Sequence, residues 1–436
     1  MKTNYFWADF MPDISKTDLT RDPGDVNTAK GYYYSLLYRK DTIDRNSWIQ
    51  NITDLQNTLN HVSTKVFGYR YSPFYADASK SNIVLSVSYV IAGSAAEKAG
   101  LQRGDIIMQI NGTQLTVDNY STFTSNLDGA TFGLADLTNG AFVLNGKKIT
   151  ATKADVTENT VAMSKIITKG TKKIGYLLYT GYVATYDANL RSAFANFKSA
   201  GVNELVVDLR LNGGGSVNSS VILSSLIVKN LSTSNLIFKY EMNKTQTDAN
   251  TKQYGTNYFN AYFSGEANNL NLNRVYFLVS GGSASASELT INNLKPFMDV
   301  YLIGSQTYGK NEFSNTFTDN RWAWGMQPLL GRTVNSKGES AYGVTTTNGK
   351  WVYQGGIQPD YAVTDNSIPF KAFGDESETL FAKALTQITG LEMTQNARQA
   401  ATAKADLLFE NKGIHLSDEP SRNRYDMTTD KFLPKK

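Results

Sequence analysis

One serine in this sequence occupies a position where it could act as a nucleophile. Ser285 lies within residues 281–288, which read GGSASASE. The preceding apolar run, residues 275–280, predicts a buried strand, and residues 289–294 predict a helix that ends before Pro296. Ser285 would therefore lie on a strand-to-helix turn, where small neighbours admit a substrate backbone and the first helical N–H groups could hold an oxyanion.

The same pattern has a purely structural interpretation. Ser285 followed by Glu288 is a capping-box spacing, and a serine that caps a helix needs no chemistry. A lysine favours the catalytic interpretation. Lys310 ends the segment 304–310 (GSQTYGK), one helix and one strand after the serine. Such a unit returns the chain to the same edge of a sheet, so the lysine could reach the serine.

Three segments together resemble a known family. Residues 283–288 (SASASE), 308–310 (YGK) and 208–215 (DLRLNGGG) are similar to the C-terminal processing peptidases, also called tail-specific proteases. The resemblance covers roughly residues 66–365. It implies that Ser285 is the nucleophile and that Lys310 is its general base.

Two positions depart from the pattern of the better-known members of that family. They carry a glutamine that orients the lysine, where this chain has Ser314, and they often carry an aspartate where it has Pro296. These departures concern how Lys310 is positioned and leave the predicted fold unaffected.

Composition restricts the class of protein. The 436 residues are 41% hydrophobic, which is enough for two or three domains. A net charge of +4 without a block of like charges argues against nucleic acid as a partner. No run approaches the roughly 18 apolar residues of a membrane span, so an integral membrane protein is not expected. We expect an exported protein, periplasmic or on the cell surface and lipid-anchored in its precursor. The first twenty residues lack the apolar core of a signal peptide, so an exported protein would have lost its signal from this sequence.

Cysteine is absent and only two histidines occur, His61 and His415. The absence of cysteine excludes disulfides, thiolate nucleophiles and cysteine metal sites. Both histidines are interpreted as surface or packing residues away from the catalytic segments. A Ser-His-Asp triad, a metal site and a cofactor are therefore not expected.

The chain divides into four predicted regions. Residues 1–65 are interpreted as a helical cap, 66–165 as a PDZ-like domain, 166–375 as the peptidase core, and 376–436 as a helix followed by a polar tail. The tail shows no strand pattern and is expected to pack only as an accessory.

Residues 66–165 contain a strand, a small helix and a hairpin in the order typical of a PDZ domain. The predicted strand covers residues 84–91, the small helix 94–100 and the hairpin 103–112. Such a domain binds a peptide C-terminus as an added strand, and its carboxylate loop would contain Gly68 and Tyr69. The start of an ordinary strand is an equally good interpretation of that loop.

From residue 166 onwards, strands alternate with helices, which indicates an α/β fold with a largely parallel sheet. The resemblance implies a crotonase-like ββα-superhelix. The glycine turn at 212–215 lacks the residues of a phosphate loop, and Asn218 breaks a dinucleotide fingerprint. The resemblance instead places oxyanion-binding N–H groups at Gly214 or Gly215, together with Ala286. A glycine turn without a ligand is the alternative.

These patterns predict a serine endopeptidase that acts on unfolded polypeptides with free C-termini. Lys310 must be neutral to accept the serine proton, and burial without a carboxylate partner could lower its pKa from about 10.4. An inactive peptide-binding homologue is the second hypothesis, and a crotonase-like enzyme acting on acyl thioesters is the third. The natural substrate and the oligomeric state are not determined by the sequence.

Overall fold

The computed structural model describes residues 1–13, 29–121, 127–318, 323–365, 367–391, 416–417, 426–429 and 431–432. These residues form three larger β-sheets and three smaller ones of two or three strands, and five of the eight described α-helices lie between residues 187 and 389. Among the described residues, none of the helices has the length and apolar character needed to cross a membrane.

The elements are numbered in chain order. The strands are β1 Trp48–Asn51, β2 Val62–Val66, β3 Tyr69–Tyr75, β4 Ile83–Val90, β5 Ile106–Ile110, β6 Thr113–Gln114, β7 Gly129–Thr138, β8 Ala141–Thr152, β9 Ala154–Thr157, β10 Val161–Lys169, β11 Lys172–Tyr179, β12 Glu204–Asp208, β13 Gly214–Ser216, β14 Leu236–Met242, β15 Asn260–Tyr262, β16 Arg274–Val279, β17 Asp299–Gly304, β18 Glu312–Ser314, β19 Phe317–Thr318, β20 Trp324–Gln327, β21 Leu329–Asn335, β22 Val344–Thr347, β23 Lys350–Tyr353, β24 Tyr361–Ala362, β25 Leu416–Ser417 and β26 Asp426–Thr428. The α-helices are α1 Ala29–Ser35, α2 Ile52–Leu59, α3 Ala95–Lys98, α4 Asp187–Ser199, α5 Val217–Ile227, α6 Lys244–Tyr254, α7 Ala286–Leu294 and α8 Thr379–Thr389.

The first large sheet carries the predicted alternation of strands and helices. Its order is β10-β11-β12-β16-β17-β24, and every pair except the antiparallel β10 and β11 is parallel. Helix α4 connects β11 to β12, and α7 connects β16 to β17. All residues of β12 are buried, as expected for a strand covered on both faces of a parallel sheet. The mixed α/β character of this half was predictable from its apolar runs.

The second large sheet contains a strand that the sequence did not indicate. Its order is β13-β26-β18-β21-β14-β15, so the C-terminal strand β26 lies in its interior. Met427 of β26 is fully buried. The expectation that the tail is only an accessory without strands is therefore wrong for these residues. A strand of three residues is too short to show a periodic pattern, and its partners lie far away in the sequence.

The third large sheet is formed mainly by the predicted PDZ-like region. Its order is β25-β3-β4-β5-β7-β8, with helix α3 following β4 along the chain. The tail contributes again here, because β25 pairs antiparallel with β3. Gly68 precedes β3 at φ +87°, and a Cβ there would come within 2.4 Å of the Ser94 Cβ. Glycine is therefore required at this position by both backbone conformation and space.

The N-terminal residues are less purely helical than predicted. Helices α1 and α2 are present in the region interpreted as a helical cap. Between them, β1 pairs antiparallel with β20 and joins this segment to the catalytic half. The buried Asp44 accepts hydrogen bonds from the Tyr5 hydroxyl at 2.7 Å and from the Ser47 N–H at 2.9 Å.

A buried ionic cluster anchors α8 to the first sheet. Arg210, just after β12, is 1% exposed and donates hydrogen bonds to Asp208, Glu378 and Asp365. Arg103 of the PDZ-like region also contacts Asp365, at 3.1 Å. The cluster therefore joins the core sheet, α8 and the neighbouring domain through charges that are removed from water.

We expect Arg210→Met to lower the free energy of unfolding by about 3–5 kcal/mol, because it leaves buried carboxylates without their partner. Urea unfolding would measure the change. Lys244→Met is the control, since the side chains of Lys244 and its partner Asp248 are 81% and 63% exposed, and this variant should lose about 1 kcal/mol or less. Equal losses in the two variants would contradict the assignment of the cluster as a buried anchor.

Candidate active site

Ser285 lies at a strained turn between β16 and α7. Its backbone has φ 62° and ψ −112°, an unusual conformation for a residue with a side chain. A strand-to-helix turn of this kind presents a nucleophilic side chain at the end of a sheet in other hydrolases. Ser285 is fully buried, and its Oγ reaches no described residue within hydrogen-bonding limits.

Glu288 connects this turn to the segment that carries the lysine. One carboxylate oxygen, Oε2, accepts the N–H of Ser285 at 2.9 Å and the N–H of Lys310 at 2.8 Å. The two backbone nitrogens can therefore be no farther apart than the sum of these distances. The other oxygen accepts the N–H of Gly309 at 2.8 Å and the hydroxyl of Thr307 at 2.5 Å. The capping arrangement predicted for Glu288 is thus the frame of the site rather than an alternative to it.

The environment of Glu288 is almost completely dehydrated. Burial raises the pKa of its carboxyl to about 7, although hydrogen bonds from Thr307, Lys310, Ser285 and Gly309 act in the opposite direction. The sequence indicated Glu288 only as a helix cap. Its role as a link became visible only when the two segments were brought together.

Lys310 is fully buried in the loop between β17 and β18. Burial without a carboxylate partner was expected for Lys310, and the structure corrects this. Glu312, two residues later, is 1% exposed, and burial raises the pKa of its carboxyl to about 7 while the charge of Lys310 lowers it. Because such an interaction is mutual, ionised Glu312 must favour the charged form of Lys310.

The glycine turn contacts the serine turn through Asn212. Asn212 Oδ1 accepts the N–H of Gly214 at 2.9 Å, and its carbonyl accepts the N–H of Ala284 at 3.2 Å and the hydroxyl of Ser287 at 3.0 Å. This fully buried asparagine was not singled out by sequence. Its only signal was its position directly before the glycines.

The predicted oxyanion residues differ in what their N–H groups do. The N–H of Gly214 is already donated to Asn212. Gly215 has φ +132°, and a Cβ there would lie 2.2 Å from the carbonyl oxygen of Tyr182. Ala286 is the first residue of α7, where helix geometry leaves the N–H without an intrahelical acceptor. The N–H of Ala286 is therefore better placed to bind an anion than that of Gly214, and the glycine at 215 is required by the close approach of Tyr182.

A cavity of about 620 Å³ borders the glycine turn, and neither Ser285 nor Lys310 is among its lining residues. Its basic lining residues are Arg70, His61 and Lys431. His61 was predicted to lie away from the catalytic segments, but it lines this cavity, with Nδ1 3.4 Å from Glu158 Oε2. His415 lies outside the described residues.

The predicted carboxylate loop lies at the start of β3. The carbonyl of Gly68 accepts the N–H of Ile91 at 2.9 Å, and Tyr69 is fully buried. The next residue, Arg70, donates from Nη1 to the carbonyl of Leu211 at 2.9 Å. The PDZ-like strand therefore contacts the backbone beside the glycine turn.

Among the described residues, no group of three or more acidic or histidine side chains could hold a metal ion.

Comparison with known proteins agrees with this geometry. Residues 173–363 match the model of peptidase family S41, and residues 86–127 match a PDZ domain model. Over residues 173–363 the chain is therefore similar to peptidase family S41. The Ser285 turn, the Lys310 loop and the glycine turn all lie inside the matched peptidase segment.

Curated relatives include proteins described as CtpA-like serine proteases. One from Staphylococcus epidermidis is 23% identical over 301 residues, which cover 66% of this chain and 52% of the relative. One from Staphylococcus aureus is 22% identical over 366 residues, which cover 78% and 65%. The chain thus spans about half the length of the first of these relatives. A crystal structure of a Bacteroides fragilis protein assigned to the S41 proteases is 25% identical, with a TM-score of 0.73, and the match covers 89% of this chain and 96% of that one.

The charge of Glu312 leads to a prediction about pH. We expect peptide cleavage to rise toward alkaline pH with a midpoint well below the value of about 10.4 for a free lysine. Glu312→Gln should move this rise to lower pH, because removing a negative charge favours the neutral amine of Lys310.

Rate–pH profiles of the two proteins measure the shift. Glu241→Gln is the control, since that carboxylate is 43% exposed and pairs with Arg332. A rise that continues beyond pH 10 in the wild type, or a Glu312→Gln profile shifted to higher pH, would contradict the assignment.

Proposed function

We propose that this protein is a serine endopeptidase that uses a Ser285/Lys310 dyad. One observation carries the proposal: a single oxygen of Glu288 accepts the N–H groups of both residues. The backbones of a serine and a lysine on two different connections of the parallel sheet thus share one acceptor, which supports a role for the two residues in one site. The strained backbone of Ser285 adds support, since strain at a buried polar residue is a common property of functional sites.

The reaction would proceed through an acyl-enzyme. Lys310 accepts the proton of Ser285 Oγ as this oxygen forms a bond to the scissile carbonyl carbon. The protonated lysine then gives its proton to the leaving amine as the C–N bond breaks. A water molecule, deprotonated by the same lysine, hydrolyses the ester and restores both side chains. Full burial of Lys310 disfavours its charged form, which is the condition that a lysine base requires.

The oxyanion of each tetrahedral intermediate would be held by the N–H groups of Ala286 and Gly215, with Gly214 as a further candidate. Such a donor contributes about 3–4 kcal/mol in comparable sites. The positive end of α7 acts in the same direction. Asn212 fixes the glycine turn against the serine turn, so we assign it a positioning role.

We further propose that substrates are unfolded polypeptides captured by their free C-termini in the PDZ domain. Such a domain adds the peptide as a strand and binds its carboxylate with backbone N–H groups, here in the loop that contains Gly68 and Tyr69. β25 already pairs with Tyr71 and Arg70 on β3. A substrate end that pairs along the same edge would replace it.

We also expect the peptidase core to have the crotonase-like ββα-superhelix arrangement and the N-terminal segment to act as a cap over the lysine loop. Parallel strands joined by helices support the first expectation. The hydrogen bond from the Tyr308 hydroxyl to Asn46 supports the second. The second candidate function, an inactive peptide-binding homologue, is favoured by one observation, that Ser285 and Lys310 are both 0% exposed.

Replacement of the dyad separates these two functions. Ser285→Ala, Lys310→Ala and Lys310→Arg should each abolish cleavage of an unfolded protein, because arginine keeps its proton. Circular dichroism and thermal unfolding should remain close to the wild type. The controls are Ser79→Ala and Lys147→Arg, at exposed positions outside the site. If any dyad variant cleaves the protein at the wild-type rate, the assignment of the dyad is wrong. If the wild type itself does not cleave, the inactive homologue is favoured.

Amidation of a substrate's C-terminus tests capture by the PDZ domain. An amidated end leaves the carboxylate-binding N–H groups poorly paired, at a cost of about 1–3 kcal/mol. Cleavage at low substrate concentration should therefore fall roughly five- to a hundredfold. The measurement compares one unstructured peptide in its free and amidated forms. Equal rates would contradict C-terminal capture, but they would not affect the proposal that Ser285 and Lys310 carry out the reaction.

A further inference from the structure

The C-terminal strand β26 lies between the two strands that flank the proposed catalytic groups. On one side it pairs in parallel with β13, which contains Gly214 and Gly215. On the other side it pairs in parallel with β18, which begins two residues after Lys310. The tail therefore passes between the oxyanion turn and the segment that carries the base.

The pairing is made by the backbone of the tail. Met427 is opposite Gly215, and Thr428 is opposite both Ser216 and Ser314. The N–H of Thr429 donates to the carbonyl of Ser314 at 3.2 Å. Backbone pairing of this kind does not depend on side-chain identity, so any extended peptide could make it.

One side chain of the tail fills an apolar pocket. Met427 is fully buried in the same core cluster as Tyr240 and Phe313. Farther along, the ring of Phe432 lies 4.9 Å from that of Tyr240. The cavity beside the glycine turn continues this surface, since Thr428 and the apolar side chains Val217, Val221 and Phe238 line it. The site therefore offers backbone pairing along its length and a hydrophobic pocket for a large side chain.

The same tail also covers the edge at which the PDZ domain would receive a peptide. β25 pairs antiparallel with β3, the strand that follows the predicted carboxylate loop. A PDZ ligand adds as a strand next to such a loop. Two described pieces of one tail thus lie at the two places that a polypeptide substrate must contact.

From this double coverage we infer that the gap between β13 and β18 is the site that holds the extended substrate segment beside Ser285, and that β26 occupies it as an internal substitute. The inference rests on the proposed function. It assigns the substrate class as an extended polypeptide with a large apolar side chain at the position of Met427. It also accounts for the full burial of Ser285 and Lys310, since a substrate reaches them only after the tail leaves.

The test releases the tail in the full-length protein. Met427→Asp places a charge in the apolar pocket, and Thr429→Pro removes the N–H that pairs with Ser314. Each should raise the rate of cleavage of an unstructured peptide by about tenfold, because loss of a buried side chain shifts an equilibrium at least that far. Met427→Leu and Thr429→Ala keep the pocket filled and the N–H present, so their rates should stay closer to the wild type.

A second measurement follows Ser285 directly. A fluorophosphonate should label Ser285 faster in Met427→Asp and Thr429→Pro than in the wild type. A synthetic peptide of residues 425–432 should inhibit both released variants, and the same peptide with aspartate in place of methionine should not. Thermal unfolding shows whether each variant is folded. If Met427→Asp does not fold, the test rests on Thr429→Pro.

The inference is overturned if the folded, released variants lose activity or keep the wild-type rate. Loss would show that β26 completes the catalytic frame, and an unchanged rate would show that it does not cover the site. These outcomes differ from a failure of the proposed function. In that case neither the wild type nor the released variants would cleave the peptide or show labelling that Ser285→Ala abolishes.

Discussion

The arrangement of the site depends on one buried carboxylate. Glu288 lies in the first turn of α7 and accepts N–H groups from the serine turn and from the lysine loop. These donors lie in two different segments, the turn between β16 and α7 and the loop after β17. Without Glu288, only the strands of the parallel sheet would fix the positions of these segments relative to each other. In a dry environment each hydrogen bond to a carboxylate is strong, and losing one is costly. The backbones of Ser285 and Lys310 are therefore positioned through main-chain atoms, and the side chains of the proposed dyad take no part in these hydrogen bonds.

The same buried environment decides which protonation states are available. A lysine base requires a dry site, and drying also raises the pKa of neighbouring carboxyls, as it does at Glu288 and Glu312. Glu312 lies close enough to Lys310 for their charges to interact. The lysine is thus subject to two opposing influences: burial favours its neutral form, and an ionised glutamate favours its charged form.

Contacts between the domains converge on the backbone beside the glycine turn. Arg70 reaches the carbonyl of Leu211 from the PDZ-like strand, and Arg103 joins the cluster around Arg210. Since Leu211 and Arg210 directly precede Asn212, displacement of the PDZ domain would act on the residues that hold the proposed oxyanion donors. The tail adds a second physical connection, because its described strands pair with both domains. Peptide capture and access to the serine thus involve the same surfaces.

The sequence by itself determined the elements with long apolar patterns and the residues with unusual chemistry. The strand before Ser285, the helix after it, the glycine turn and the PDZ-like hairpin were predicted close to their observed bounds, because burial of a whole strand or helix face produces a periodic pattern of apolar residues. The serine and the lysine stood out in a chain without cysteine and with two histidines. Tertiary structure alone decided the rest. The link through Glu288, the role of Asn212, the charge of Glu312 beside Lys310 and the place of β26 depend on contacts between segments distant in the chain. A three-residue strand or a single buried carboxylate produces no periodic signal, and its partner is defined only when the sheets have formed.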